Sequence, residues 1–337
     1  MKPPLFYDVT LRDGSHANQH GFTAQICSTY IDKAYSSGLR CIEVGHGNGL
    51  GGSSLHIGRL QDPLIWDVIT EKVALYQDLK VGVHVIPGLA TFEDLDAASE
   101  AGVTVFRIAC HCTEADTTET YMEYASQQGH EVWGLLMMAH MIKPDQLARE
   151  AKKMESYGAS RIVFLDSAGA LTPSMVERIT DELLSVVEVP LGFHAHNNLH
   201  AAVANSLTAL SSGCDSIDGC ARGYGAGAGN LSLEALVAIL EKDECATGLD
   251  LKQLTDLSGF IEKQFPSTLP IVDSLSTATG FHGVFSGFKP KILEAAATFE
   301  VDPMDIIASL GKAQVIAGQE DQIIATAADL AMKEQRS

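Results

Sequence analysis

Asp13, which closes the run Leu5-Phe-Tyr-Asp-Val-Thr-Leu-Arg-Asp13, and the histidine pair of Gly192-Phe-His-Ala-His-Asn-Asn198 have the types and spacing of a divalent-metal site. Side chains of an extended strand alternate faces, so His194 and His196 point the same way and can reach one ion, with a distant carboxylate as third ligand. One aspartate and two neutral imidazoles leave half of an octahedral shell open for a chelating substrate. Oxygen and nitrogen donors without thiolate suit Mn²⁺ or Mg²⁺ better than Zn²⁺, Co²⁺ or Fe²⁺. The ordinary alternatives are an Asp-Gly turn at Asp13 and a core histidine satisfied by backbone carbonyls.

The neighbours extend the chemistry. Arg12 beside the aspartate can hold a carboxylate or stabilise an enolate oxygen, or form a salt bridge across a barrel mouth. His16, three residues on, titrates near neutrality and can act as a general base. Gly223-Tyr-Gly-Ala-Gly-Ala-Gly-Asn230 can present backbone amides to an anion or simply pack closely, and Asn230 can cap a helix or support the metal ligands from behind. A Schiff-base route to carbon–carbon chemistry requires a lysine at a strand end. None of the expected strands ends in one.

Positioning these residues requires a scaffold that gathers distant segments. Eight apolar, β-branched-rich runs recur: Phe6–Leu11, Cys41–His46, Val81–Pro87, Val105–Cys110, Val132–Ala139, Arg161–Ser167, Leu191–His196 and Ser216–Ala221. Helical patterns separate them, among them Ala24–Ser36, Phe92–Glu100, Thr118–Gln128, Lys143–Ser156, Ser174–Val187, Leu199–Ser212 and Leu231–Leu240. Eight such units predict a closed TIM (β/α)8 barrel, an α/β fold, with a doubly wound open sheet as the alternative. In a barrel the active site lies at the carboxyl ends of the strands, where Asp13, His194 and His196 all fall. From about Gly248 the sequence turns helical, through Leu249–Phe265, Lys291–Phe299, Asp302–Gly311 and Gln319–Lys333. The expected division is a barrel over 1–247 and a small C-terminal helical domain over 248–337, the latter a surface for a dimer or another partner.

A net charge of −20 without basic clusters excludes nucleic acid and anionic membranes as partners. No stretch approaches the ~20 apolar residues of a membrane span, and the N-terminus has no signal-like apolar segment. Seven cysteines without a Cys-x-x-Cys pair point to reduced thiols, hence to a cytoplasmic protein. Cys110 and Cys112, at i and i+2, could contribute only part of a soft-metal site.

Several longer motifs resemble the 4-hydroxy-2-oxovalerate aldolase family, relatives of hydroxymethylglutaryl-CoA lyase and isopropylmalate synthase. They are Asp8-Val-Thr-Leu-Arg-Asp-Gly-Ser-His-Ala17, Glu43-Val-Gly-His-Gly47, Leu136-Met-Met-Ala-His-Met-Ile142, Met154-Glu-Ser-Tyr-Gly-Ala159, Asp166-Ser-Ala-Gly-Ala170, His194-Ala-His-Asn-Asn-Leu199, Gly225-Ala-Gly-Ala-Gly-Asn230 and Gly318-Gln-Glu-Asp321. The resemblance covers nearly the whole chain. It implies an Mn²⁺-preferring pyruvate aldolase: Asp13, His194 and His196 binding metal, Arg12 stabilising the pyruvate enolate, His16 taking the 4-hydroxyl proton and Ser167 contacting the substrate carboxylate. It also implies an acylating aldehyde dehydrogenase partner that receives the aldehyde, in a hetero-oligomer, or else a homodimer.

The chain departs from the family pattern where the aldehyde is expected. Tyr-Ala-Gly-Val-Tyr-Ser-Ser-Phe appears as Phe281-His-Gly-Val-Phe-Ser-Gly-Phe288, so a substrate-positioning tyrosine is Phe285. His-Gly-Asp appears as His46-Gly-Asn48, and Arg222 and Tyr224 replace smaller or apolar residues beside the glycine loop. Altered aldehyde specificity is the resulting expectation, with His46, Asn48 and Phe285 among the substrate-binding residues. Two other readings stand beside this one: an acyl-CoA-dependent Claisen-type condensing enzyme, and a non-catalytic scaffold for an aldehyde dehydrogenase.

Overall fold

In the computed structural model, which describes residues 3–52 and 62–334, eight parallel strands close on themselves in sequence order. They are β1 (Leu5–Val9), β2 (Cys41–Val44), β3 (Lys80–Val85), β4 (Val105–His111), β5 (Glu131–Met137), β6 (Arg161–Asp166), β7 (Leu191–Ala195) and β8 (Ser216–Gly219). Pairing of β1 with β8, from Leu5 against Ser216 to Asp8 against Gly219, seals the barrel and removes the open-sheet alternative. The outermost residues of the two expected domains, 1–2 and 335–337, lie outside the described residues.

Strand alternation sorts the side chains. Phe6, Ile42, Val81, Val83, Phe106, Ile108, Ile162, Phe164, Phe193 and Ile217 belong to the large core shared with the surrounding helices. Tyr7, Val9, Cys41, Val105, Ala109, Trp133, Leu135, Val163 and Leu165 form a second cluster, and the two-residue period assigns this set to the barrel interior. The interior register also holds charge: Arg107 falls between Val105 and Ala109, Glu43 two residues after Cys41, and both are fully buried.

The first strand differs from expectation. β1 stops at Val9, and a helix, Thr10–Ala17, follows at once, so Arg12, Asp13 and His16 stand on a helix rather than on a strand end and its loop. Asp8 causes the switch: its Oδ1 accepts from Thr10 N at 2.9 Å and from Thr10 Oγ1 at 2.6 Å, holding the chain in a cap-like turn. Asp13-Gly14 is therefore not a turn. Gly14 meets a packing need instead, because a Cβ there would come within 2.7 Å of the Tyr224 ring.

Two further helices, Asp62–Leu75 and Ser274–His282, escaped the sequence reading. Asp62–Leu75 runs Asp-Pro-Leu-Ile-Trp-Asp-Val-Ile-Thr-Glu-Lys-Val-Ala-Leu, with apolar residues all around and no clear stripe. After the barrel, the helix Leu251–Gln264 buries Leu254, Leu257 and Ile261 in the barrel's outer core. The second domain expected from 248 thus opens with a helix that packs on the barrel. A separate apolar core begins later, where Val284, Phe288, Ile292, Ile306, Ile307, Leu310 and Ile323 draw together the helices Lys289–Phe299, Pro303–Ala313 and Asp321–Glu334.

Candidate metal centre

The barrel brings Asp13, His194 and His196 together as a buried group whose ligand atoms all lie within 4.8 Å of one another. His194 Nε2 and His196 Nε2 are 3.3 Å apart, and Asp13 Oδ2 is 3.3 Å from the first and 3.9 Å from the second. His194, the last residue but one of β7, lies on the inward register, and His196, just beyond β7, pairs by an isolated bridge with Asn230. The glycine loop does present an amide to an anion, and that anion is the site's own aspartate: Ala226 N donates to Asp13 Oδ1 at 3.1 Å.

The donor set fits a divalent cation. His194 Nδ1 lies 3.0 Å from Asp218 Oδ2 and can donate to it, which turns Nε2 toward Asp13 and His196; burial lowers the His194 pKa, but Asp13 and Asp218 together raise it, so a proton or a cation is favoured at Nε2. Two imidazole nitrogens and a carboxylate oxygen at these separations need a positive charge among them. Asp13 supplies a stable anion: burial opposes its ionisation, but Arg12 beside it and the two histidines hold it well below the usual carboxylate range. Burial pushes His196 down to about 3, against the pull of Asp13, so it is a neutral donor at physiological pH.

Arg12 adjoins the trio. Its Nη1 lies 3.3 Å from Asp13 Oδ2, its Nε donates to Glu43 Oε2 at 2.6 Å, and its Nη2 is buried without a hydrogen-bond partner among the described residues. A buried guanidinium with an unused donor beside a metal group is ready to take a ligand oxygen. Glu43 stays ionised: burial would raise it, yet Arg12 and Arg107 bring it down to about 2.

The other expected residues divide. His16 is half-buried on the last turn of the helix Thr10–Ala17, and Gly47 makes room for it, since a Cβ there would lie 2.8 Å from His16 Nε2. His46 is fully buried, stacks on His20 at 3.7 Å between ring centroids and accepts from the backbone of Asn48 at 3.2 Å. Ser167 Oγ accepts from Met138 N at 3.0 Å, and the Ser167 carbonyl accepts from Ser286 N at 3.2 Å. That second bond sets the segment carrying Phe285 against the end of β6. Phe285 itself is half-buried, 5.4 Å edge-to-face from Phe288. Asn230 is buried with Nδ2 3.4 Å from Cys220 Sγ, and its Oδ1 has no partner among the described residues. Arg222 departs from the expected place at the substrate: its exposed guanidinium pairs with Glu262 at 2.5 Å.

Sequence reasoning missed Arg107, Asp218, His84 and His20. Arg107, His84 and Asp218 carry a recognisable signal, a charged or titratable residue on the inward register of an otherwise apolar strand. His84, buried on β3 against Gly49, is pushed by burial down to about 3 and is uncharged. His20 has no such pattern, because its position depends on a left-handed backbone, φ 57°, after the helix ends.

Comparison with known proteins gives two family matches. Residues 4–261 match the HMGL-like family, and residues 270–332 match the DmpG-like communication domain. A 4-hydroxy-2-oxovalerate aldolase of Pectobacterium atrosepticum is 44% identical over all of this chain and 98% of its own length. One from Spirochaeta aurantia is 45% identical over 94% of this chain and 93% of its own. Among solved structures, the HMG-CoA lyase of Bacillus subtilis superposes with a TM-score of 0.70 at 21% identity, covering 82% of this chain and 97% of that one. The carboxyl transferase domain of Rhizobium etli pyruvate carboxylase gives 0.84 at 16% identity, covering 98% of this chain and 61% of that one. These two likenesses are of fold. No helix among the described residues is long and apolar enough to cross a membrane.

Proposed function

Because the chain belongs to the HMGL-like family and, within it, to the 4-hydroxy-2-oxovalerate aldolases, we infer that it is a metal-dependent carbon–carbon lyase that cleaves a 4-hydroxy-2-oxo acid to pyruvate and an aldehyde, or runs the reverse addition. The observation that carries this reading is the buried Asp13, His194 and His196 group with the spare Arg12 donor beside it. Asp13, His194 and His196 would hold the cation, and Mn²⁺ suits their oxygen and nitrogen donors. Bound there, a divalent cation supplies Lewis-acid polarisation of the 2-oxo group.

The chain's own residues do the rest. His16 Nε2 accepts the proton of the 4-hydroxyl as the C3–C4 bond breaks and the aldehyde forms, and the bonding pair passes into the pyruvate enolate. Arg12 Nη2 donates to the developing enolate oxygen, a charge that appears in the transition state and is therefore worth stabilising there. Ser167 orients the carboxylate. Phe285, from the C-terminal region, lines the aldehyde end without the hydroxyl its relatives carry. The match of residues 270–332 to a communication domain, together with Ile271 at 70% and Phe281 at 78% exposure, supports docking of an acylating aldehyde dehydrogenase on this region.

The test is pyruvate release from racemic 4-hydroxy-2-oxo acids of several chain lengths, with Mn²⁺ and after chelation. Expected are release with Mn²⁺, its loss on chelation and its return on readdition. Turnover indifferent to chelation overturns the mechanism.

A further inference from the structure

Behind the metal group the charged side chains close into a circuit. Arg12 Nε donates to Glu43 Oε2 at 2.6 Å, and Arg107 Nη1 donates to Glu43 Oε1 at 3.0 Å. Arg107 Nη2 donates to Asp218 Oδ2, the same oxygen that lies 3.0 Å from His194 Nδ1. His194 Nε2 and Arg12 Nη1 both return to Asp13 Oδ2 at 3.3 Å. Helix Thr10–Ala17, β2, β4, β7 and β8 each contribute a member.

Arg107 has features unlike the others. It is fully buried, and its guanidinium carbon sits 4.3 Å from the Tyr7 ring centroid and 5.3 Å from that of Trp133. No other described residue is bonded to both Glu43 and Asp218. A planar fork held against two aromatic rings, which themselves pack 4.8 Å apart between centroids, fixes two carboxylates in one geometry, something a single rotating ammonium cannot do.

We propose that Arg107 is a positioning residue that couples the two halves of the site: through Asp218 it sets the tautomer and aim of the metal-holding His194, and through Glu43 it sets the aim of the enolate-holding Arg12. Arg107 touches neither metal nor substrate. This rests on the metal-dependent reading above and adds to it that the two halves are set by one buried fork. Without it, two buried carboxylates lose a shared counter-ion, and each drags a functional group with it.

The experiment uses the full chain stripped of metal. Mn²⁺ affinity per folded molecule is read by equilibrium dialysis, and proton–deuterium exchange at pyruvate C3 is read at saturating Mn²⁺. Arg107→Lys, which keeps the charge but loses the fork, is expected to weaken Mn²⁺ by about 10- to 100-fold and to slow exchange at saturating metal by roughly tenfold or more. Adding Asp218→Asn to it should cost little further Mn²⁺ affinity, and adding Glu43→Gln little further exchange rate. Should Arg107→Lys not fold, the single variants decide through their cross-effects. Glu43→Gln, three hydrogen bonds removed from His194 by way of Arg107 and Asp218, must then weaken Mn²⁺ binding, and Asp218→Asn must slow exchange with metal saturating. A folded Arg107→Lys that lowers only thermal stability, fully additive double variants, or single variants without cross-effects overturn the proposal. A wild-type protein that exchanges pyruvate protons but cleaves no 4-hydroxy-2-oxo acid refutes the cleavage reading and leaves this test intact.

Discussion

The barrel interior and the C-terminal helices are built on opposite principles. Inside the barrel and on the helix that follows β1, Glu43, Arg107, Asp218, Arg12 and Asp13 are all buried, and each is matched by an opposite charge at hydrogen-bonding or ion-pair distance. The C-terminal core includes Val284, Phe288, Ile292, Ile306, Leu310 and Ile323, and among the described residues of these helices no charged side chain is buried. Buried charge networks contribute little net stability, since desolvation offsets attraction, whereas apolar burial stabilises by about 25 cal/mol per Å². The difference teaches where function lies: the barrel tolerates an interior of marginal energetic benefit because the helices and strands around it supply the stability. The C-terminal region is organised for packing on one side and for exposed apolar residues on the other.

Substitutions can break or sharpen this contrast. The largest effect is expected at the barrel: His16→Ala should lower cleavage by roughly 10²- to 10⁴-fold, the range for losing a general base, while Mn²⁺-dependent exchange of pyruvate protons persists. Loss of Mn²⁺ binding in that variant would instead move His16 into the coordination shell. In the C-terminal core, Leu310→Ala should cost about 2–5 kcal/mol of stability in that region, read by denaturant unfolding, with Mn²⁺ affinity of the remaining folded protein unchanged. Weakened Mn²⁺ binding would show the two regions to be energetically one.

The contrast also predicts different acid responses. Glu43, lowered to about 2, contributes stability that is present above the ordinary glutamate value of about 4.3 and is lost as pH falls through 2. Wild type should therefore lose stability more steeply than Glu43→Gln between those limits, as followed by thermal melting; parallel curves would mean that Glu43 is not ionised in the fold. The smallest effect is expected where the regions meet. Phe285→Tyr, which restores a hydroxyl, should raise preference for acetaldehyde over longer aldehydes by only about two- to tenfold, the worth of one hydrogen bond. An unchanged ratio of kcat/KM values would remove Phe285 from the determinants of aldehyde choice.

Legibility in the sequence followed the same division. The barrel strands announced themselves by apolar runs between glycine-stopped helices. The histidine pair was readable because a strand's two-residue period is fixed. Helix Thr10–Ala17 was not readable, because the apolar run continues through Leu11 and only the Asp8 contacts to Thr10 end the strand. Arg222 illustrates the opposite failure. An unusual residue beside the glycine loop suggested a role at the substrate, and a left-handed backbone at φ 62° turns it outward to Glu262.

By itself the sequence determined the eight-fold alternation, the metal-competent donors and the family, since all three are properties of residue type and of spacing along one chain. Tertiary structure decided the rest. That Arg107 and Asp218, 111 residues apart, share a hydrogen bond depends on which strands the closed barrel sets across its axis. The shear and register of a closed sheet are set by all its strands together, so no single segment encodes which inward side chains meet.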